Sequence, residues 1–405
     1  MNLKNILIVN IKNIIDFLYN AGAFALYLLI QQFVVLPYLA GNNEALYCLA
    51  VLFVTIMNIL GSVIGDDAGN CYLVRYDEYQ QKQISPLPDI SRIILLMCII
   101  IGIALGGAAY FFDIGWPLAV GGILCVWLCA LRFVFAVYFR KKLQYQCLIK
   151  SGLFYCVGML AGVGLFKLSW HWIWIFLSAE IAALFYNLYA VKTSWNKNEL
   201  FHKPTDTYKQ SWIIYIQLSL TSLLLLAALY LDRFILYKLL SLKDVAVYFA
   251  ASAMSKVIFM LGNPLYSFLL ARFSASEAEK KSKMIRNSII ISLVIFIVCG
   301  AGTAVCMLGG MYIFYNAYLQ PSLPLFLPLC LASGIGMAIV ILRSLVIKFC
   351  KKWMLLLNTV IYTIFILVFG WLLTDHYGSY GMCWAIAAGQ LIQSFGLIII
   401  LITRR

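Results

Sequence analysis

Long apolar runs, separated by short polar or charged segments, recur along the whole sequence. A run of ~20 apolar residues can cross a bilayer as a helix, because a helix satisfies its own backbone hydrogen bonds where water is absent. The runs predict twelve transmembrane helices, at about 13–37, 45–64, 93–112, 117–139, 147–166, 172–191, 212–236, 245–270, 288–309, 323–346, 353–374 and 379–402. We therefore expect an all-α integral membrane protein.

The composition leaves room for little else. Hydrophobic residues make up 64% of the 405 residues and charged residues only 11%, far outside the usual range of soluble domains. About ten to twelve crossings with short loops use up the chain, so no soluble domain is expected. The N-terminal segment shows no small-residue cleavage site, and we expect it to be retained rather than removed as a signal peptide.

The distribution of positive charge predicts the orientation. With a cytoplasmic N-terminus, the segments predicted inside hold 23 of the 30 Lys and Arg residues, and those outside hold four. Cytoplasmic loops of membrane proteins are enriched in Lys and Arg, so both termini are predicted to face the cytoplasm. The net charge of +14 then reflects topology and attraction to anionic lipids, and nucleic-acid binding is not expected.

Neither an enzyme nor a metal site is expected. The longest predicted outer loop is the 13-residue MYIFYNAYLQPSL, whereas membrane enzymes that build polysaccharide outside the cell usually need a larger loop to hold the acceptor. Most of the twelve cysteines lie in apolar runs, where they behave as small hydrophobic residues. No CxxC pair occurs and the three histidines are far apart, so no cofactor is predicted.

An internal repeat relates the two halves of the chain. A shift of 201 residues places Tyr47 on Tyr248 and Gln31 on Asp232. The first and second helices thereby correspond to the seventh and eighth. Many transporters are built from such repeats, with the substrate site near the repeat interface.

Polar residues recur on one face of the first, seventh and eighth helices. They are Asp16, Asn20, Tyr27 and Gln31 in the first, Gln217, Thr221 and Asp232 in the seventh, and Tyr248, Ser252, Lys256 and Asn263 in the eighth. These faces either line a cleft or form hydrogen bonds between helices. A lysine within a helix costs about 2.5–3.5 kcal/mol on membrane-insertion scales, so Lys256 needs a partner or water.

Two segments carry a recognisable pattern: LPYLAGNNEALYCLAVLF, and LYLDRFILYKLLSLKDVAVYFAASAMSKVIFMLGNPLYSFLLARFS. The second has an Asp near the end of helix 7, an acidic residue before helix 8, a Tyr opening helix 8 and a Pro near its end. In this chain they are Asp232, Asp244, Tyr248 and Pro264. The chain thereby resembles the Wzx-type polysaccharide flippases of the MOP (multidrug, oligosaccharidyl-lipid and polysaccharide exporter) superfamily. It departs from the pattern at Leu46 and Val247, where a glycine often precedes the tyrosine.

The resemblance implies two six-helix lobes of MATE-like type, 1–196 and 207–405, joined by a cytoplasmic linker, 197–206, around a cleft lined by helices 1, 2, 7 and 8. It implies a flippase of the cell inner membrane that moves undecaprenyl-diphosphate-linked oligosaccharide to the outer leaflet by alternating access. The cargo would be an O-antigen, capsular or exopolysaccharide repeat unit. Implied partners are this lipid-linked substrate, membrane lipids, a polysaccharide polymerase and a chain-length regulator.

Four charged residues are the main candidates for function. Lys256, about midway along helix 8, is the first choice to bind the diphosphate, with a structural ion pair as the alternative. Arg132 is the second choice, or a snorkelling or interhelical arginine. Arg233, beside Asp232, marks the outer mouth of the cleft or belongs to an interfacial salt-bridge network. Glu180, near the centre of helix 6, couples transport to an ion or pairs with Arg132 or another base.

Two other functions suit the same architecture. A cation-coupled exporter of small molecules or drugs, from the same superfamily, would share the two lobes. Such exporters usually carry acidic residues deep in the cleft, whereas the deep charges here are mostly basic. A membrane-embedded polysaccharide polymerase or ligase is the third candidate, and the short outer loops argue against it.

Overall fold

The structure is a computed structural model that describes residues 19, 22, 23, 25–72, 87–142, 144–168, 171–192, 208–259, 281–350 and 352–403. Within these ranges the chain is helical apart from short turns, and no strand forms. The helices are α1 (Ala25–Asn42), α2 (Glu44–Tyr72), α3 (Leu87–Phe111), α4 (Trp116–Lys141), α5 (Tyr145–Lys167), α6 (Ile173–Val191), α7 (Tyr208–Leu239), α8 (Leu242–Phe259), α9 (Lys281–Phe314), α10 (Asn316–Phe349) and α11 (Lys352–Thr403).

Nine helices among the described residues are long and apolar enough to cross a membrane. The two arms of α7, Tyr208–Leu224 and Leu229–Leu239, meet at a bend of 51° and make a tenth span if counted as one. Gly378 divides α11 with a φ of 61°, a conformation that glycine adopts without the penalty of a Cβ. The chain is thus a multi-pass membrane protein, while the count of twelve spans and the orientation of the termini stay predictions.

Two helices extend beyond their predicted ends. α2 continues to Tyr72 instead of ending at 64, because the aspartates in its last turns have partners on α4 and α7. α10 begins at Asn316 instead of 323, although it contains prolines at 321, 324 and 328. Proline removes a backbone donor, but membrane helices tolerate it where neighbouring groups satisfy the freed carbonyl.

The chain forms two compact units. Unit 1 comprises the described residues of Met1–Val35 and Phe53–Leu223, and unit 2 those of Leu36–Leu52 and Leu224–Arg405. Helices α1, α2 and α7 therefore contribute residues to both units. The predicted lobes, with their boundaries at 196 and 207, stay a prediction.

Close helix packing in unit 1 depends on glycine. Gly61, Gly65 and Gly69 lie four residues apart on α2, and a Cβ at any of them would collide with α4. The clash at Gly65 would be with the backbone carbonyl of Ala130, which cannot move aside as a side chain could. Small residues allow such close approach of helices in membranes, and here they bring α2 against the helix that carries Arg132.

A short turn joins α7 and α8 in unit 2. The N–H of Asp244 donates to Ser241 Oγ at 3.3 Å, and that hydroxyl donates to the Asp244 carboxylate at 2.7 Å. This reciprocal cap fixes the start of α8. At the start of α2, Asn43 Oδ1 accepts the N–H groups of Ala45 and Leu46. Both helix-to-helix connections related by the predicted repeat are therefore short and capped.

Candidate functional site

A buried carboxylate organises the α7–α8 pair of unit 2. Tyr248 Oη donates a 2.6 Å hydrogen bond to Asp232 Oδ2, and Lys256 Nζ lies 3.3 Å from the same oxygen. Hydrogen bonds of this length to an ionised carboxylate are strong. The second oxygen, Oδ1, is buried and has no hydrogen-bond partner among the described residues. The structure thus forms the ion pair that the sequence left open as the alternative for Lys256.

Aromatic rings flank Arg233 on α7 and Lys256 on α8. Lys256 Nζ lies 5.5 Å from the ring centre of Tyr230, and Arg233 Cζ lies 5.0 Å from that ring and 6.0 Å from the ring of Phe249. These distances lie within the range of cation–π attraction, about 6 Å. We refer to Tyr230, Asp232, Arg233, Tyr248 and Lys256 as the α7–α8 cluster.

The charged members of the cluster differ in exposure. The side chain of Lys256 is 25% exposed, whereas that of Asp232 is 3% exposed and Arg233 as a residue is 7% exposed. A lysine can extend its ammonium group toward water while its methylene stem stays buried. Lys256 is therefore the most exposed charged member of the cluster.

A second ion pair lies in unit 1, between Arg132 on α4 and Glu180 on α6. Arg132 Nε and Nη2 lie 2.9 Å and 3.0 Å from the two carboxylate oxygens of Glu180. The side chain of Glu180 is fully buried and that of Arg132 is 9% exposed. The two charges neutralise each other inside unit 1. The sequence left this pairing open as the alternative for Glu180, and an interhelical role as an alternative for Arg132.

Three aromatic rings surround the Arg132 guanidinium. Its Cζ lies 4.5 Å, 4.9 Å and 5.2 Å from the rings of Tyr27, Phe133 and Tyr155. Tyr27 Oη also donates a 3.1 Å hydrogen bond to Ser151 Oγ on α5. Tyr27, which belongs to the polar face predicted for the first helix, therefore makes its contacts within unit 1.

Sequence reasoning missed two aspartates near the end of α2, because it placed them in a loop. They occupy helix at the end of the π-helical turn Ser62–Asp66. Asp66 Oδ1 accepts a 2.9 Å contact from Arg140 Nη2 on α4, and Asp67 Oδ1 accepts a 2.8 Å hydrogen bond from Ser222 on α7. A sequence signal could have shown this. Glycines recur at every fourth residue, at Gly61, Gly65 and Gly69, and so continue past residue 64, where the predicted helix ended.

The remaining predicted site residues differ in their surroundings. Gln31 is buried in the π-helical segment Gln31–Val35, and its Nε2 has no hydrogen-bond partner among the described residues. Ser252 is buried on α8, and Gln217 is exposed on α7. Outside the described part of the structure lie Asp16, Asn20, Asn263 and the side chain of Thr221.

Metal-ligating residues do not cluster within the described ranges: no three His, Cys, Asp or Glu side chains there could hold one ion. The twelve cysteines are free thiols, buried or partly buried. Their surroundings agree with a packing role inside apolar helices.

Comparison with known proteins gives the fold. No protein-family model matches the sequence, and no curated protein matches it. Among solved structures, an inward-facing MATE multidrug-resistance transporter of the MOP superfamily aligns over 94% of this chain and 94% of its own, with a TM-score of 0.63 and 13% identity. The lipid II flippase MurJ, in an inward closed conformation, aligns over 97% of this chain and 87% of its own, with a TM-score of 0.57 and 10% identity.

The chain has the MATE and MurJ fold. A further MATE structure, in complex with MaD5, aligns over 96% of this chain and 94% of its own with a TM-score of 0.67 and 12% identity. The expected all-helical architecture with a MATE-like fold is therefore confirmed. Membership of the Wzx-type polysaccharide flippases stays a prediction, as do the site roles of the candidate residues.

Proposed function

We propose that this protein is a flippase that moves undecaprenyl-diphosphate-linked oligosaccharide from the inner to the outer leaflet of the cell inner membrane. The observation that carries the proposal is the α7–α8 cluster, in which a partly exposed Lys256 is held by a buried carboxylate. On this proposal the protein delivers its cargo to a polysaccharide polymerase and a chain-length regulator.

The chemistry of the cluster suits a diphosphate headgroup. A diphosphate cannot cross hydrocarbon without compensating charge, and ionisable groups inside membrane proteins commonly mark the path of such a substrate. Asp232 balances Lys256 while no substrate is bound. Because Tyr248 also hydrogen-bonds the same carboxylate oxygen, Asp232 keeps a partner when the lysine turns to the incoming phosphate.

The unit 1 pair plays a secondary part in this proposal. Both oxygens of Glu180 are engaged by Arg132, so the arginine can reach a ligand only after that pair opens. We therefore place the first contact with the diphosphate at Lys256, and retain Arg132 as a second cation and Glu180 as a coupling carboxylate that acts by releasing it.

The proposal is tested by replacing Lys256 in the source strain, with surface polysaccharide and the location of lipid-linked repeat units as the readouts. Lys256→Ala should abolish surface polysaccharide while lipid-linked repeat units collect at the inner leaflet, and Lys256→Arg should retain part of the activity because it keeps the charge. Lys238→Ala serves as the matched control, since Lys238 is an exposed lysine near the end of α7.

Protein abundance and the location of the lipid-linked repeat units distinguish the flippase from a structural lysine, an enzyme and a drug exporter. Activity that falls only in proportion to the amount of folded protein supports a purely structural lysine, because an unpaired Asp232 destabilises the helix pair. Repeat units that reach the outer face without being polymerised support the polymerase or ligase. Unchanged polysaccharide together with increased drug sensitivity in a deletion strain supports the exporter.

A further inference from the structure

A pocket lies in unit 2, where α1 ends and where α2, α8 and α10 begin. Its volume is about 380 Å³, within the range of about 300–1,000 Å³ that is usual for small-molecule sites. Asn42 and Glu44 line it from the α1–α2 connection, Lys243 from the first turn of α8, and Tyr318 and Pro321 from α10. All of these connections fall in segments that the charge distribution predicts to be external.

The pocket offers both hydrogen-bond donors and acceptors. Lys243 carries three N–H donors, Glu44 two acceptor oxygens, and Asn42 both types of group. Ala317, Tyr318 and Pro321 line the pocket from the first turns of α10 and add apolar surface beside these polar groups.

The charges of the pocket disfavour a simple anion. Glu44 offsets Lys243, so their combined charge is zero, and a carboxylate next to a phosphate would be repelled. A mixed set of donors and acceptors beside the ring of Tyr318 suits a neutral ligand with several hydroxyl groups and an apolar face. Saccharides have this chemistry.

We infer that this pocket binds a sugar of the translocated oligosaccharide at the outer end of unit 2, before release. The inference rests on the proposed function and adds a second site to it, distinct from the α7–α8 cluster. The pocket would hold the sugar portion, whereas the cluster meets the diphosphate.

Protection of an introduced cysteine tests the inference. Ala317 is exposed and lines the pocket, so Ala317→Cys should react with a membrane-impermeant maleimide applied to spheroplasts. The labelling rate is compared in strains that make no lipid-linked oligosaccharide, only the carrier with its first sugar, or the complete repeat unit. Tyr377→Cys, at a 66% exposed position on α11, is the matched control.

We expect the complete repeat unit to slow labelling of Ala317→Cys, by about twofold when half of the sites are occupied, and to leave Tyr377→Cys unchanged. Adding Glu44→Gln should remove most of this protection. Equal protection by the first-sugar carrier would likewise support a bound sugar, whereas protection by the complete repeat unit that survives Glu44→Gln would overturn the saccharide assignment. Absence of labelling, or labelling that no strain alters, would overturn the site itself.

Transport is measured in the same strains, so a failure of the proposed pocket can be distinguished from a failure of the proposed function. If export of surface polysaccharide depends on the gene but protection is absent, only the pocket is rejected. If export is independent of the gene, the proposed function falls, whatever the cysteine shows.

Discussion

Removing the charge of Glu180 should destabilise unit 1 strongly. Glu180→Gln keeps the shape of the side chain but leaves Arg132, with a side chain 9% exposed, without a counter-charge. Breaking a buried ion pair in this way costs about 3–5 kcal/mol. The glutamine oxygen can still accept one of the two hydrogen bonds, so we expect about 3 kcal/mol, which is about two orders of magnitude in the folding equilibrium.

A matched control lies in the same unit. Asp66→Asn breaks the pair between Asp66 and Arg140, which has the same N–O distance of 2.9 Å, but those side chains are 27% and 39% exposed. Exposed ion pairs contribute only about 0–1 kcal/mol. The free energy of unfolding of the purified full-length protein would be measured by denaturant titration, with tryptophan fluorescence as the readout.

The double variant Arg132→Met/Glu180→Leu completes the set. It should recover much of the lost stability, because it removes both charges and leaves none unpaired. Equal losses for Glu180→Gln and Asp66→Asn would refute the burial argument. A Glu180→Gln variant that folds normally but no longer transports would instead assign Glu180 to ion coupling.

Three further outcomes are expected. Tyr248→Phe removes a 2.6 Å hydrogen bond to a buried carboxylate and should lower the free energy of unfolding by about 1.5–3 kcal/mol; no loss would contradict an ionised acceptor. Gly65→Ala meets backbone and should cost at least about 1–3 kcal/mol, whereas Gly106→Ala, with open space around it, should be neutral or stabilising in thermal melts. Reporter fusions after Lys142 should read cytoplasmic and fusions after Phe112 external; the reverse at both would overturn the topology.

The sequence predicted the helices well because apolar runs of membrane length have few alternatives. It gave the Arg132–Glu180 pair only as an alternative, since the two residues are 48 residues apart and nothing local joins them, and for Lys256 it gave an ion pair without a named partner. Lys256 and Asp232 were more accessible to sequence reasoning: they are 24 residues apart on helices joined by a short turn. The contacts of Asp67 were out of reach, because its partner lies 155 residues away.

The two ion pairs compensate the charges of their members to different degrees. A charge inside a membrane protein must be compensated, and a bidentate pair with both partners buried does so completely. Arg132 and Glu180 reach that state, which leaves little attraction for a third group. In the α7–α8 cluster a single oxygen of Asp232 serves both Tyr248 and the more exposed Lys256. Compensation there is looser. On the proposed function an incoming anion therefore competes for the lysine at lower cost, and variants of Lys256 should affect transport more than variants of Arg132 at equal protein abundance.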